Sequence, residues 1–413
     1  MKKKIFGLLF LFLITIGFFI SQAPGDLSFI RDMSTLALKE ITGENLTLNS
    51  VIQEYDQVEH PYYRDKLDPK EKKIYDKIKL ALANPEKKII LNQEITDDQY
   101  DNIIWLVWAD NPDFSQNLIN SLAGHSTPLI SYIVMEYNQQ DYKEYLERSH
   151  QAYGKAQTIV KEIPAQWSDY QKVKYLHDYL VNHCIPNVND KNNPLNNEAY
   201  GALMLGRAMC EGYTNAMQLL CNLAGIENTV VSYNSYTNAE GQEVEGHTWN
   251  LIKMDDSYYH VDVGSDDPIE EISSGHQTAA SLQGYHYVSY QYFGLTTAEI
   301  DQLHGIPVGK TFEKLMPSCT ATKDNYYVVE GLLFNDYDQN NVAKAMAETY
   351  LKEAAEQNIL TSARFTNRES YQKALTDSDN LCKALLHYLN KSSGEFGSRS
   401  SDSSLTIEKI IFF

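Results

Sequence analysis

At 413 residues the chain is long enough for two or three domains with substantial cores, and 43% hydrophobic with 22% charged residues is the balance of a globular protein. A net charge of −20 leaves no broad basic surface for phosphate, which argues against nucleic acid as a partner. Five cysteines (Cys184, Cys210, Cys221, Cys319 and Cys382) are too few and too scattered for a disulfide framework.

The N-terminus predicts export. Lys2, Lys3 and Lys4 precede an apolar run from Ile5 to Ile20, and Ser21-Gln22-Ala23 follows as a small-x-small cleavage signal. Pro24 would hinder cleavage there, so residues 1–25 read as a signal peptide or a membrane anchor. Residues 26–165 are mainly helical in pattern. Asp68-Pro69-Lys70-Glu71 opens one helix with a cap, a first-position proline and a third-position acid, and Ile74, Ile78 and Leu82 give it an apolar face. Thr96-Asp97-Asp98-Gln99 opens another, with Ile103, Ile104 and Val107 inward. Ile130 to Tyr137 suits a strand, and a charged helix follows to about Glu162.

Gln171 to Asn182 places Val173, Leu176 and Leu180 on one side of a core helix, and the polar run Asn187 to Asn197 is a loop. A small-residue turn then leads to Cys210-Glu211-Gly212-Tyr213. A helix begins there, with Ala216, Leu219, Leu220 and Leu223 as its apolar stripe. A thiol at a helix N-terminus feels the positive end of the macrodipole, which favours thiolate. Cys221 lies about 16 Å further along the same helix and cannot bridge to Cys210.

Next come two strands, His247 to Lys253 and Tyr258 to Val263. A two-residue turn at Asp255-Asp256 pairs Met254 with Ser257, and therefore Trp249 with Asp262. His247 then lies one diagonal step from Asp262 on the same face, whereas a loop one residue longer or shorter would put the two on opposite faces. Cys210, His247 and Asp262 are thus the candidate catalytic residues. No motif for a cofactor or a resident metal is present, and no His/Cys cluster has zinc spacing. The acidic run Asp266, Asp267, Glu270, Glu271 reads as a solvated loop; calcium is the alternative, but no EF-hand spacing is present. Tyr285, Tyr287, Tyr290 and Tyr292 read as core packing, with a peptide groove as the other reading. Thr296-Thr297-Ala298-Glu299 is a capping box that starts the last helix of this unit.

Cys210-Glu211-Gly212-Tyr213, Gly246-His247-Thr248-Trp249-Asn250 and His260-Val261-Asp262 with Asp266-Asp267-Pro268 resemble, in order, the three motif blocks of the bacterial transglutaminase-like superfamily. The similarity runs from about Gln171 to about Ile306, since His177-Asp178-Tyr179-Leu180 and Tyr292-Phe293-Gly294-Leu295 also resemble flanking elements. Departures are Gly264 and Ser265, where the family often has Thr-Trp, and Asp256, where its hairpin often has Gly. The resemblance, to the exported Gram-positive type, implies an α+β fold: a papain-like Cys-His-Asp core at 166–308, behind a mainly helical N-terminal region. It also implies thiol chemistry on the amide bonds of a protein or peptide, cell-wall peptide among the candidates; hydrolysis is favoured over crosslinking because water is the default acceptor and the sequence shows no amine site. The competing reading is a non-catalytic cell-surface binding or scaffold protein that keeps the fold.

Beyond Val308 the composition resets. Tyr326 to Phe334 is strand-like, Val342 to Glu356 helical, Ile359 to Phe365 a strand and Ser370 to Leu389 helical. Ser392 to Ser404 reads as a flexible loop, and Leu405 to Phe413 as a last strand. Residues 309–413 therefore read as a small α/β accessory domain.

Overall fold

The computed structural model describes residues 61–83, 89–91, 96–112, 119–126, 131–137, 139–233, 235–237, 241, 243–267, 287–304, 314–353 and 360–412. Residues 1–25, which the sequence reads as a signal peptide or membrane anchor, lie outside them. Among the described residues no helix is long and apolar enough to cross a membrane.

The first region contains α1 (Tyr62–Lys66), α2 (Pro69–Ala83), β1 (Ile89–Leu91), α3 (Asp97–Asp110), β2 (Ile119–Ser126), β3 (Ser131–Tyr137) and the long α4 (Gln139–Val160). Asp68 caps α2 by accepting from the backbone N–H groups of Lys70 and Glu71 at 2.7 and 2.9 Å. Thr96 and Gln99 form the reciprocal box that opens α3. Besides these helices, β1, β3 and β2 form a three-stranded antiparallel sheet that the sequence pattern shows only at its Ser131–Tyr137 strand. Ile74, Ile78, Ile103, Ile104 and Val107 bury together with Val230 from the central unit. The Tyr63 hydroxyl donates to the Val230 carbonyl at 2.9 Å, and Gln218 donates to the Ala109 carbonyl at 2.6 Å. The region is thereby fastened to the elements that carry the candidate site.

The central unit follows with α5 (Asp169–His183), β4 (Ile185–Pro186), β5 (Arg207–Ala208), α6 (Cys210–Leu223), β6 (Asn228–Tyr233), β7 (Tyr236–Thr237), β8 (Glu243–Val244), β9 (His247–Met254), β10 (Ser257–Val261), β11 (Phe293–Leu295) and α7 (Thr297–His304). Strands β11, β10, β9 and β6 form an antiparallel sheet in that order. Helix α6 packs on it through Ala216, Met217, Leu219 and Leu220, all buried. Two polar contacts lock helix to sheet beside Cys210. The Thr214 hydroxyl lies 3.0 Å from the Thr248 carbonyl, and Asn250 Nδ2 donates to the Thr214 carbonyl at 3.1 Å.

The last region has α8 (Tyr326–Val329), β12 (Leu333–Phe334), α9 (Gln339–Glu353), β13 (Leu360–Phe365), α10 (Arg368–Thr376), α11 (Ser378–Tyr388), β14 (Glu395–Ser401) and β15 (Thr406–Phe412). Its sheet runs β12-β13-β15-β14, with only the β12–β13 pair parallel. Two segments differ from the sequence pattern. The β-prone Tyr326-Tyr327-Val328-Val329 is a helical turn, because Asn325 caps the Tyr327 N–H at 3.0 Å and both tyrosines bury. The polar stretch read as a flexible loop holds strand β14, which pairs with β15 from Glu395 to Ser401. Partner strand packing, with Gly397 lying against Ile410, overrides its low β-propensity.

The glycine of the Cys-Glu-Gly-Tyr motif has a steric reason. Asn196 places its carbonyl over the start of α6, where it accepts from Met209 N at 3.0 Å, and a Cβ on Gly212 would meet that oxygen at 2.2 Å. Gly212→Ala should therefore destabilise the fold by about 3 kcal/mol, since a backbone atom cannot swing aside as a side chain can. Urea unfolding of the variant checks this; a change within about 0.5 kcal/mol would show that the Asn196 strap is dispensable.

Candidate active site

The structure brings the three sequence-predicted residues together. Cys210 is the first residue of α6 and half-buried, while His247 opens β9 and Asp262 follows β10 directly. The hairpin register is the predicted one: Met254 pairs with Ser257 and Asn250 with Val261, around a turn in which Asp255 takes φ 51. That register puts His247 and Asp262 on one face. His247 Nε2 lies 2.6 Å from Asp262 Oδ2, and the Cys210 thiol is near enough to raise the imidazole's proton affinity further. With Nε2 committed to the carboxylate, the Nδ1 edge is the one left for sulfur.

Asp262 is 2% exposed, and burial alone would push its carboxyl upward; the charge and hydrogen bond of His247, then those of His304, hold it far below the usual carboxylate range. Oδ2 also accepts from the Ser265 hydroxyl at 2.7 Å, and Oδ1 from the Ser265 N–H at 3.1 Å. Ser265 stands where the family often has Trp, and here its short side chain reaches back to the carboxylate. For His247, burial pushes the imidazole down, but the Asp262 charge, the hydrogen bond to it and the Cys210 contact outweigh this and hold it up at about 10. The ring stacks on Trp249 with centroids 5.6 Å apart. Trp249 donates to His260 Nδ1 at 2.9 Å, and burial drives His260 down to about 3, which keeps it a neutral acceptor.

His304 is the residue that the sequence reading missed. It ends α7, the helix opened by the Thr296–Glu299 box, and its Nε2 lies 2.7 Å from the same Asp262 oxygen that holds His247. Its ring stacks on Tyr292 at 4.8 Å. A histidine in the last turn of a helix ordinarily reads as a dipole partner, so nothing in the local sequence marked it.

The acidic run is likewise not a solvated loop where it is described. Asp266 and Asp267 are buried: Asp267 accepts from the Tyr213 hydroxyl at 2.6 Å, and Asp266 accepts from the Tyr292 N–H at 3.0 Å and faces His177 Nε2 at 3.2 Å. Glu270 and Glu271 lie outside the described residues, as does Tyr285. Tyr287 and Tyr290 are core residues, whereas Tyr292 borders the site.

The sequence profile of the transglutaminase-like superfamily matches residues 157–263. That segment is similar to the core of this superfamily. The superfamily consists mostly of cysteine-based enzymes, and the chain has the α+β, papain-like architecture of that core. Among solved structures, a TGase aligns at 17% identity and a TM-score of 0.24, over 44% of this chain and 52% of its own. A candidate cysteine protease from Cytophaga hutchinsonii aligns at 10% identity and a TM-score of 0.22, over 35% and 61%. The chain thus spans between half and two thirds of the length of these structures. No curated protein matches it.

Behind the candidate site, His177 is fully buried between Asp178 (3.0 Å from Nδ1) and Asp266. Burial pushes this imidazole down, yet its hydrogen bonds to Asp178 and Asp266 outweigh burial and hold it up at about 9. Because the folded value exceeds the ordinary 6.5, its ion pairs stabilise fully below about pH 6.5, and the contribution is lost as pH rises through about 9. His177→Gln should consequently cost more stability near pH 6 than near pH 10, read as the gap between wild-type and variant urea midpoints. An equal gap at both pH values would mean that His177 is neutral in the fold.

Proposed function

We propose that the protein is an exported thiol enzyme that acts on amide bonds through a Cys210 acyl intermediate, and that water is its usual acceptor. The observation that carries this reading is His247, which hydrogen-bonds the buried Asp262 carboxylate through Nε2 and interacts with the Cys210 thiol. In the first step the Cys210 sulfur attacks the amide carbonyl and His247 holds the thiol proton. That proton then passes to the departing amine as the carbon–nitrogen bond breaks. Asp262 orients the imidazole and stabilises it as imidazolium. The Cys210 N–H, an unpaired donor of the first helical turn, supplies one oxyanion contact. Water, its proton taken by His247, attacks the thioester; the acid leaves and the thiol is restored. Crosslinking would use the same triad with an amine in place of water. A peptide or protein is the expected substrate, cell-wall peptide included. An uncleaved N-terminal segment would hold the enzyme at the outer face of the membrane.

The other four cysteines give the test its contrast. Burial pushes Cys184 and Cys319 up to about 12 and Cys221 higher still, and Cys382 is also raised. Iodoacetamide at neutral pH should therefore alkylate Cys210 first, located by peptide mass mapping. His247→Ala should slow that step by about tenfold or more, and on an amide substrate it should lower turnover by about 10²–10⁴-fold. Cys210→Ala should abolish acylation, Asp262→Asn should leave residual activity, and the losses should not add when combined. Sluggish labelling of Cys210, no faster than Cys382, would instead favour the scaffold reading.

A further inference from the structure

We propose that His247, Asp262 and His304 form a binding site for a divalent ion of the zinc class, and that an ion bound there shuts the thiol site. The ligand atoms of the three residues all lie within 4.8 Å of one another. Each comes from a separately anchored place: the start of β9, the residue after β10, and the end of α7. Sequence separations of 15 and 42 residues hide the set from any short-motif search.

The second imidazole is what needs explaining. Asp262 already accepts from His247 and from both the side chain and the backbone of Ser265, so orienting His247 requires no further donor. Yet His304 aims Nε2 at the same oxygen, held by its stack on Tyr292. Two imidazole nitrogens converging on one carboxylate oxygen, with the fourth position left to water, are the donor set of open zinc sites. Zinc at about 2.0–2.1 Å from each donor spaces the donors about 3.3 Å apart, so the present 2.6 and 2.7 Å contacts must open by about 0.7 Å. The two histidine side chains are 19% and 13% exposed, so an ion has a route in from solvent. Around the set, the Ser265 N–H fixes the carboxylate through Oδ1, the kind of outer contact that orients a ligand. On binding, the proton that each Nε2 shares with Asp262 moves to Nδ1 or to solvent.

Cys210 is not among the three residues whose ligand atoms converge. This separates the site from a thiolate–imidazole zinc site. With zinc on Nε2, His247 loses Asp262 as its support and no longer shuttles a proton, so acylation stops. That consequence rests on the thiol-enzyme reading; the binding itself does not.

The test is a Co²⁺ and Zn²⁺ titration of the full-length chain in detergent, with excess Mg²⁺ to occupy surface carboxylates. Wild type should bind one Co²⁺ with visible d–d absorption and no thiolate charge-transfer band, and Zn²⁺ should displace it. His304→Gln keeps an amide donor for Asp262 but removes the imidazole. Loss of an outer-shell partner alone costs about 10–100-fold, so this variant should weaken binding by about 100-fold or more. Cys210→Ser should bind like wild type. Nuclear magnetic resonance of the Co²⁺-loaded wild type should show two paramagnetically shifted imidazoles, which counts the ligands even if a variant fails to fold. Absence of saturable binding, unchanged binding in His304→Gln, or a sulfur band lost in Cys210→Ser would each overturn the site. Zn²⁺ should also slow iodoacetamide labelling of Cys210 in wild type and not in His304→Gln. If binding follows His304 while Cys210 labels sluggishly with or without Zn²⁺, the site stands and the enzyme reading fails.

Discussion

The buried charge of Asp262 is the constraint around which the site is built. A carboxylate at 2% exposure is costly unless its oxygens are matched by donors, and here His247, His304 and Ser265 provide them. Each donor fixes a different piece of chain. His247 sets the start of β9, Ser265 curls the backbone just after β10, and His304 holds the end of α7. Removing the negative charge would leave these groups crowded around a neutral oxygen. The arrangement thus fixes local geometry and, in the proposed chemistry, supports an imidazolium beside the thiol.

A second buried ionic group lies directly behind the first. Asp266 N–H donates to the Asp262 carbonyl at 3.2 Å, and Asp262 N–H donates to the Tyr292 carbonyl at 3.1 Å. Asp266 faces His177 of α5, and Asp178 accepts from Lys174 at 2.7 Å and from the Tyr290 hydroxyl at 3.1 Å. Helix, turn and the 287–295 segment are therefore joined through charged hydrogen bonds as well as through the apolar core. In a low-dielectric interior such bonds are strong when all members are satisfied, and they tie residues 262–267 to α5 and to Tyr292.

Much of this was legible in the sequence because it depends on local rules. The period-two alternation of a hairpin and the length of its turn decide which side His247 and Asp262 share, and Met254 and Ser257 pair as that rule requires. The cap at Asp68 and the boxes at Thr96 and Thr296 are contacts within four residues. What escaped depends on tertiary contact. Asp266 and Asp267 look like solvent-facing acids until His177 and Tyr213, far away in the chain, supply partners. His304 stands 42 residues beyond Asp262, and only the packing of α7 against the hairpin brings them together. Strand β14 is polar and Gly-containing, and acquires its conformation from β15.

The same long-range logic ties the C-terminal sheet to the chemistry. Arg364 of β13, nearly buried, donates from Nη2 to the Gln291 carbonyl at 2.6 Å, and Ser289 donates to Glu408 of β15 at 2.6 Å. The Ser404 hydroxyl meets the Gln291 side chain at 3.1 Å. These contacts grip the segment that carries Tyr292, whose carbonyl holds Asp262 N–H, whose N–H holds Asp266, and whose ring stacks on His304. Apolar packing follows the same path, since Tyr290, Phe293, Tyr326, Phe365 and Ile410 belong to one buried cluster with the residues of α6. A displacement of β13 or β15 would therefore move Gln291, then Tyr292, then both the carboxylate and its second histidine. Among the described residues, the C-terminal sheet reaches the site through its contacts to Ser289 and Gln291.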